Sequence, residues 1–211
     1  MDGITFDPHS GRVLVVSGRG KAFYSFRPDI DLVSAKLPAA VALRGEPEFL
    51  AADASGKAYV NLMDTNEVAV VDIKAGTVVA HWPVAPGGQP VGMALDEKAG
   101  RLWLGCRGPQ KLIGMSTRDG KVVVDLPIGP SVDAIKLDGG QVFASTAGSQ
   151  LFVASSTAIV ETVTTGEGAR TMGIDSSTHR IYLPSAKYEV GANGKRTVKP
   201  GSFRILVVAR P

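Results

Sequence analysis

The chain has one cysteine, Cys106, and three histidines, His9, His81 and His179. A lone thiol excludes an internal disulfide and any metal site built from several thiolates. Two of the histidines fall in turns and one in an outer strand, so they form no ligand cluster. No apolar run reaches the roughly 18 residues a membrane helix needs. Met1-Asp2-Gly3-Ile4 lacks a charged segment followed by an apolar one, so no signal peptide is expected. Neither sign of charge dominates: the formal net charge is +3, too small to imply nucleic acid by itself. The nucleophile elbow, P-loop, dinucleotide fingerprint and H-E-x-x-H zinc motif are all missing. No segment holds a helical period. With 44% hydrophobic and 20% charged residues, the composition is ordinary for a globular domain with a real core.

What the chain does have is one pattern written five times. An apolar triplet ends in Asp; a Gly or basic turn follows; a second apolar run comes next. The clearest copy is Gly92-Met93-Ala94-Leu95-Asp96, then Gly100-Arg101-Leu102-Trp103-Leu104. The anchor residues are Asp7, Asp53, Asp96, Asp138 and Asp175, spaced by 46, 43, 42 and 37 residues. A strand-only repeat of this period reads as propeller blades, each too small to bury both faces alone. The expected fold is therefore all-β, a propeller of about five four-stranded blades in one domain. The repeats run approximately over 2–45, 46–88, 89–130, 131–167 and 168–211.

The third copy shows the internal order. Strand A is Gly92–Leu95, B is Leu102–Gly105, C is Leu112–Met115 and D is Val122–Ile128. Asp119-Gly120 supplies the tight C–D turn. Pro38, Pro83 and Pro127 fall in the D strands. Proline lacks an amide donor and belongs on an edge, which is where D lies. Phe203–Val208 reads as a fifth strand C with no D after it, and no spare strand precedes Asp2. The expectation is an open or partial ring whose end faces are weak.

Gly92–Asp96, Gly100–Leu104, Val68-Ala69-Val70-Val71-Asp72 and Leu126-Pro127-Ile128-Gly129 together resemble the YVTN, or YncE-like, β-propeller repeat family. The similarity covers nearly the whole chain. It implies a seven-bladed relative, further N-terminal blades, export to a periplasmic or secreted location, and a binding or scaffold role. The family also carries a DNA-binding description. The matching motifs are turn and core positions, and no functional residue transfers with them.

Aligned on their anchors, the repeats share a position five residues earlier, at the start of strand A: Asp2, Glu48, Val91, Asp133 and Arg170. Strand A starts at one mouth of a propeller channel. Asp2, Glu48, Asp133 and Arg170 are therefore expected to converge there. Such carboxylates could hold a divalent cation or raise one another's pKa, or Arg170 could simply pair with an acid. The B–C loops bring Asn61, Asp64, Asn66, Cys106, Arg107 and Ser145 to the same face. The fifth B–C loop, Ser185–Ser202, is long and carries Lys187, Lys195, Arg196 and Lys199, with Asn193-Gly194 as a hairpin turn. It reads as a solvated loop or as a basic flap for an anionic ligand or single-stranded nucleic acid. Arg12, Lys57, Arg101 and Arg180 read as solvated hairpin tips on the opposite face.

The leading reading is a non-enzymatic propeller that binds a small ligand or protein on its channel face, with no cofactor identified. One alternative is a metal-dependent, lactonase-like hydrolase using Asp2, Glu48 and Asp133. Another is a single-stranded nucleic-acid binder using the basic loop. Both rest on what propellers can host.

Overall fold

The computed structural model describes residues 2–31, 38–191 and 194–209; Leu37 and Asn193 lie outside the described residues. Every regular element among the described residues is a strand. Blade 1 comprises β1 (Gly3–Asp7), β2 (Arg12–Ser17), β3 (Ala22–Phe26) and the two-residue β4 (Val41–Ala42). Blade 2 comprises β5 (Pro47–Ala52), β6 (Lys57–Leu62), β7 (Glu67–Asp72) and β8 (Thr77–Pro83). Blade 3 comprises β9 (Pro90–Asp96), β10 (Arg101–Arg107), β11 (Gln110–Ser116) and β12 (Val122–Pro127). Blade 4 comprises β13 (Val132–Asp138), β14 (Gln141–Thr146), β15 (Gln150–Ala154) and β16 (Ile159–Thr164). Blade 5 comprises β17 (Gly173–Asp175), β18 (Arg180–Ser185) and β21 (Arg204–Val208), with the hairpin β19 (Tyr188–Val190) and β20 (Arg196–Val198) inserted between the last two.

Within each sheet the strands pair antiparallel in chain order, as the repeat implies. Pro83 and Pro127 end outer strands, where no ladder bond is lost. Pro38 corrects the expected pattern: it lies in irregular chain, and the outer strand of blade 1 is only Val41–Ala42, paired with Phe23 and Ala22.

The core lies between blades, and strand alternation puts it there. In β6, Ala58, Val60 and Leu62 pack on blade 1, while Tyr59 packs on blade 3. In β10, Leu102 and Leu104 face blade 2, while Trp103 faces blade 4. In β14, Val142 and Ala144 face blade 3, while Phe143 faces blade 5. Successive side chains of a strand point to opposite faces, so a strand covered on both sides reads as a continuous apolar run. The outer strand β16 has no such cover, and Glu161 and Thr162 are exposed on it.

The inner strands touch in series, β1 on β5, β5 on β9, β9 on β13 and β13 on β17. No comparable contact joins β17 to β1 among the described residues. Ile4 and Phe6 of blade 1, and Ile205 and Val207 of blade 5, are exposed.

Four of the five anchors cap their turns. The backbone amides of His9 and Ser10 donate to Asp7 at 3.1 and 3.2 Å, and Asp7 is only 1% exposed. Asp53 accepts from the Ser55 and Lys57 amides and from the Tyr59 hydroxyl. Asp96 accepts from the Ala99 amide at 3.0 Å. Asp175 accepts from the Ser177 amide and from the Ser177 and Thr178 hydroxyls, and these bonds hold its carboxyl down to about 2. Asp138 departs: its turn is Gly139-Gly140, both with positive φ, and its carboxylate binds His179 instead. Asp96→Ala should therefore cost about 1 kcal/mol, and Asp7→Ala about 2 kcal/mol because more bonds and a buried site are lost. Urea denaturation of the two variants measures the ranking; equal losses would contradict it.

The supposed hairpin tips also need correcting. Arg12 donates to the Ser25 hydroxyl and carbonyl. Arg101 donates to the Ser156 carbonyl and stacks 5.4 Å over Trp103. Arg12 thus braces two strands of blade 1, and Arg101 reaches across to the β15–β16 turn of blade 4.

Candidate functional site at the channel mouth

The channel is bounded by the inner strands. A cavity of about 320 Å³ is lined by Phe6, Phe49, Met93, Ile135 and Lys136 among others, and Lys136 sits 6.0 Å from the Phe49 ring. The starts of those strands carry the charged positions.

Glu48 is half-buried at the start of β5. Burial pushes its carboxyl pKa up, and Arg107 pulls it back. Asp2, Asp133 and Glu46 push it up further. Those four charges therefore lie within electrostatic reach of Glu48, which has no hydrogen bond or ion pair of its own among the described residues. Asp133 is clamped: Arg107 donates to it at 2.7 Å, and Arg170 approaches at 3.8 Å. The Asp2 carboxylate accepts the Gly18 amide at 2.6 Å. The exposed Arg170 guanidinium reaches the group only through Asp133. Val91, the fifth equivalent position, is buried in the core.

Arg107 is the residue that aligning anchors misses. It also donates to the Val132 carbonyl at 2.9 Å, tying blade 3 to blade 4. Two other seams carry the same device. Asn61, fully buried, donates to the Val91 and Gly92 carbonyls at 3.1 and 3.2 Å. The Ser145 hydroxyl donates to the Arg170 carbonyl. Asn61 and Ser145 occupy the same position of their B strands, and Gly105 is the equivalent in blade 3. A side chain at Gly105 would meet Val132 and Ile135 of blade 4, so Arg107 supplies the bond from two residues further on. The signal was present in the sequence: polar residues at one register position within two apolar strands.

The loops around the mouth are similarly fastened. Asp64 takes the Lys21 ammonium at 2.8 Å and the Glu46 amide at 2.6 Å, and the Lys21 bond holds its carboxyl pKa down. Asn66 accepts the Gln89 amide at 2.6 Å. Cys106 is buried, and burial pushes its thiol up to about 12, which keeps it protonated.

The basic loop carries the paired strands β19 and β20. Arg196 donates to Glu167 at 2.6 Å and stacks 4.7 Å over Tyr188, so it pins the hairpin to the loop leading into β17. Lys187, Lys195 and Lys199 are exposed. The backbone amide of Lys187 donates to the Ser202 hydroxyl, and that of Lys199 donates to the Lys187 carbonyl. Arg196 is thus already partnered by a carboxylate.

The residues do not form a carboxylate cage. Among the described residues, no three His, Cys, Asp or Glu side chains are grouped to hold a metal ion. Asp133 is turned to two arginines and Asp2 to a backbone amide, so their charges do not point to one centre. No helix is long and apolar enough to cross a membrane among the described residues.

No protein-family model matches this chain, and no curated protein does. Solved structures do. Hydrazine synthase of Kuenenia stuttgartiensis aligns with a TM-score of 0.77 at 18% identity, over 97% of this chain and 61% of that one. The WD40 β-propeller domain of Doa1 aligns with a TM-score of 0.69 at 13% identity, over 85% of this chain and 58% of that one. This chain therefore spans about three fifths of the length of each. At such identities the likeness speaks to architecture alone, and the architecture is a β-propeller built of about five blades.

Proposed function

We propose that this chain is a YVTN/YncE-like propeller that binds, without catalysis, a small ligand or protein segment through a cationic group at the channel mouth. The β-propeller fold supports a binding or scaffold role in general. Glu48 carries the specific reading. It is a half-buried carboxylate with no ion-pair partner among the described residues; burial and the neighbouring acids raise its pKa against the pull of Arg107. Such a group destabilises the free protein when ionised. An incoming ammonium or guanidinium relieves that cost and gains a charge-assisted hydrogen bond. Arg107 and Arg170 fix Asp133 at the rim, which favours a ligand that also presents an acceptor.

The test is isothermal titration with arginine-containing tripeptides and matched glutamate-containing controls. The arginine peptides should bind, and the double variant Glu48→Gln/Asp133→Asn should lose at least tenfold in affinity while staying folded. Unchanged affinity in the double variant would count against the site. The pH dependence follows from the raised pKa. The folded state holds the Glu48 proton more tightly than the unfolded state, so this residue makes stability fall as pH rises through the carboxylate range. Glu48→Gln should flatten that part of the urea-midpoint profile; an unaltered slope would show that Glu48 is not strained.

A further inference from the structure

We propose a second ligand site, between blades 4 and 5 on the face opposite the mouth, that takes a small apolar amine. The seam leaves a cleft of about 350 Å³ walled by Phe143, Leu151, Val153 and Val163 of blade 4 and by Ile181 and Val208 of blade 5. That volume lies at the low end of the range for small-molecule pockets, roughly 300–1,000 Å³. The opening has a structural cause. β17 is three residues long where β13 is seven, so blade 5 closes on blade 4 over a short front.

The polar end of the cleft departs from the repeat twice. Gly11, Gly56, Gly100 and Gly140 hold the left-handed position of the A–B turn in blades 1 to 4; His179 holds it in blade 5, with φ 55°. That conformation is unusual for a residue with a side chain, and it aims attention at what the side chain does. Nδ1 of His179 lies 2.7 Å from Asp138 Oδ2 across the seam. Asp138 is the one anchor released from capping its own turn, and its side chain is only 10% exposed. Glu161, Gln141 and Thr178 complete the polar lining, and the Glu161 carboxylate forms no ion pair among the described residues.

Charge selects the ligand. Asp138 and Glu161 line the cleft, and no lysine or arginine lines it among the described residues. The cleft is acidic whether or not His179 is protonated, although the protein as a whole carries +3. An apolar body fits the six aliphatic and aromatic walls. An ammonium head answers the carboxylates, with the Phe143 ring as a further attraction. A carboxylate or phosphate in the same position meets like charge.

The probes are 2-phenylethylamine and phenylacetate, titrated calorimetrically into the full chain. The amine is expected to bind at least tenfold more tightly than the acid. Glu161→Gln, an exposed substitution, should weaken the amine about fivefold and leave the melting temperature unchanged. Val163→Phe should fill the cleft and abolish binding. The mouth variant Glu48→Gln/Asp133→Asn should keep the affinity, which separates this site from the first. Equal binding of amine and acid, no binding of either, or indifference of the amine to Glu161→Gln would overturn the proposal. So would full binding of the amine by Val163→Phe, since that would show the amine bound elsewhere.

Discussion

Asn61→Asp is expected to destabilise the protein by about 4 kcal/mol at neutral pH. The substitution is nearly isosteric, so packing is not the cause. Asn61 is fully buried, and its amide nitrogen donates to two carbonyls of blade 3, Val91 and Gly92. An aspartate there has no donor. It places a charge in the seam, facing the oxygens it should bind, with no cation at hand. The deficit should shrink as pH falls. The buried carboxyl has a raised folded-state pKa, so stability is lost as pH rises through the carboxylate range and regained on protonation. Urea denaturation at pH 7 and pH 4 provides the comparison. A loss below about 1 kcal/mol, or a loss independent of pH, would show that Asn61 is not a bolt between blades.

The second large effect is at the C–D turn of blade 3. Gly120 has φ +70°, and an added Cβ would lie 2.2 Å from Cγ of Trp82, on the outer strand of blade 2. Cγ is the root of the indole, so the ring cannot give way at its tip. Trp82 also packs against Tyr59, 5.7 Å between ring centroids. Gly120→Ala must therefore displace the turn or the indole, on top of the strain of a left-handed alanine. A cost of about 4 kcal/mol is expected. Gly76→Ala is the control. It sits in the corresponding turn of blade 2 with φ +64°, but its Cβ meets only a Val41 methyl at 3.9 Å. That variant should lose about 1 kcal/mol. Equal effects at both glycines would mean that the indole contact is unimportant.

The fold was legible because its determinants are local. Turn glycines at 11, 56, 100 and 140, and strands that alternate between two covered faces, leave the same trace five times. For the same reason, counting back from each anchor picks out Asp2, Glu48, Asp133 and Arg170 as one register position of the repeat. What that count could not reveal is partnership across blades. Arg107 joins the group because Gly105 leaves no side chain at the expected position, and that swap depends on how tightly blade 4 approaches. Asp138 looks like its four counterparts until His179, 41 residues away, takes its carboxylate. Arg12 and Arg101 look like free tips because their acceptors are backbone carbonyls, which every sequence has. Arg196 looked like an available cation until its stack on Tyr188 and its bond to Glu167 appeared.

The seam bolts bear on how such a molecule can vary the residues at its rim. In each case the acceptor in the following blade is a main-chain carbonyl, of Val91, Val132 or Arg170. Two of those residues stand at the position that begins strand A, where the mouth takes its charges. Their carbonyls accept these bonds through the main chain, which every residue has. Valine, with an uncharged branched chain, and arginine, with a long cation, serve equally well as acceptors. A side chain at this position can therefore change, one blade at a time, without removing the hydrogen bond that joins the blades. Joint and rim occupy the same residues but are encoded in different atoms.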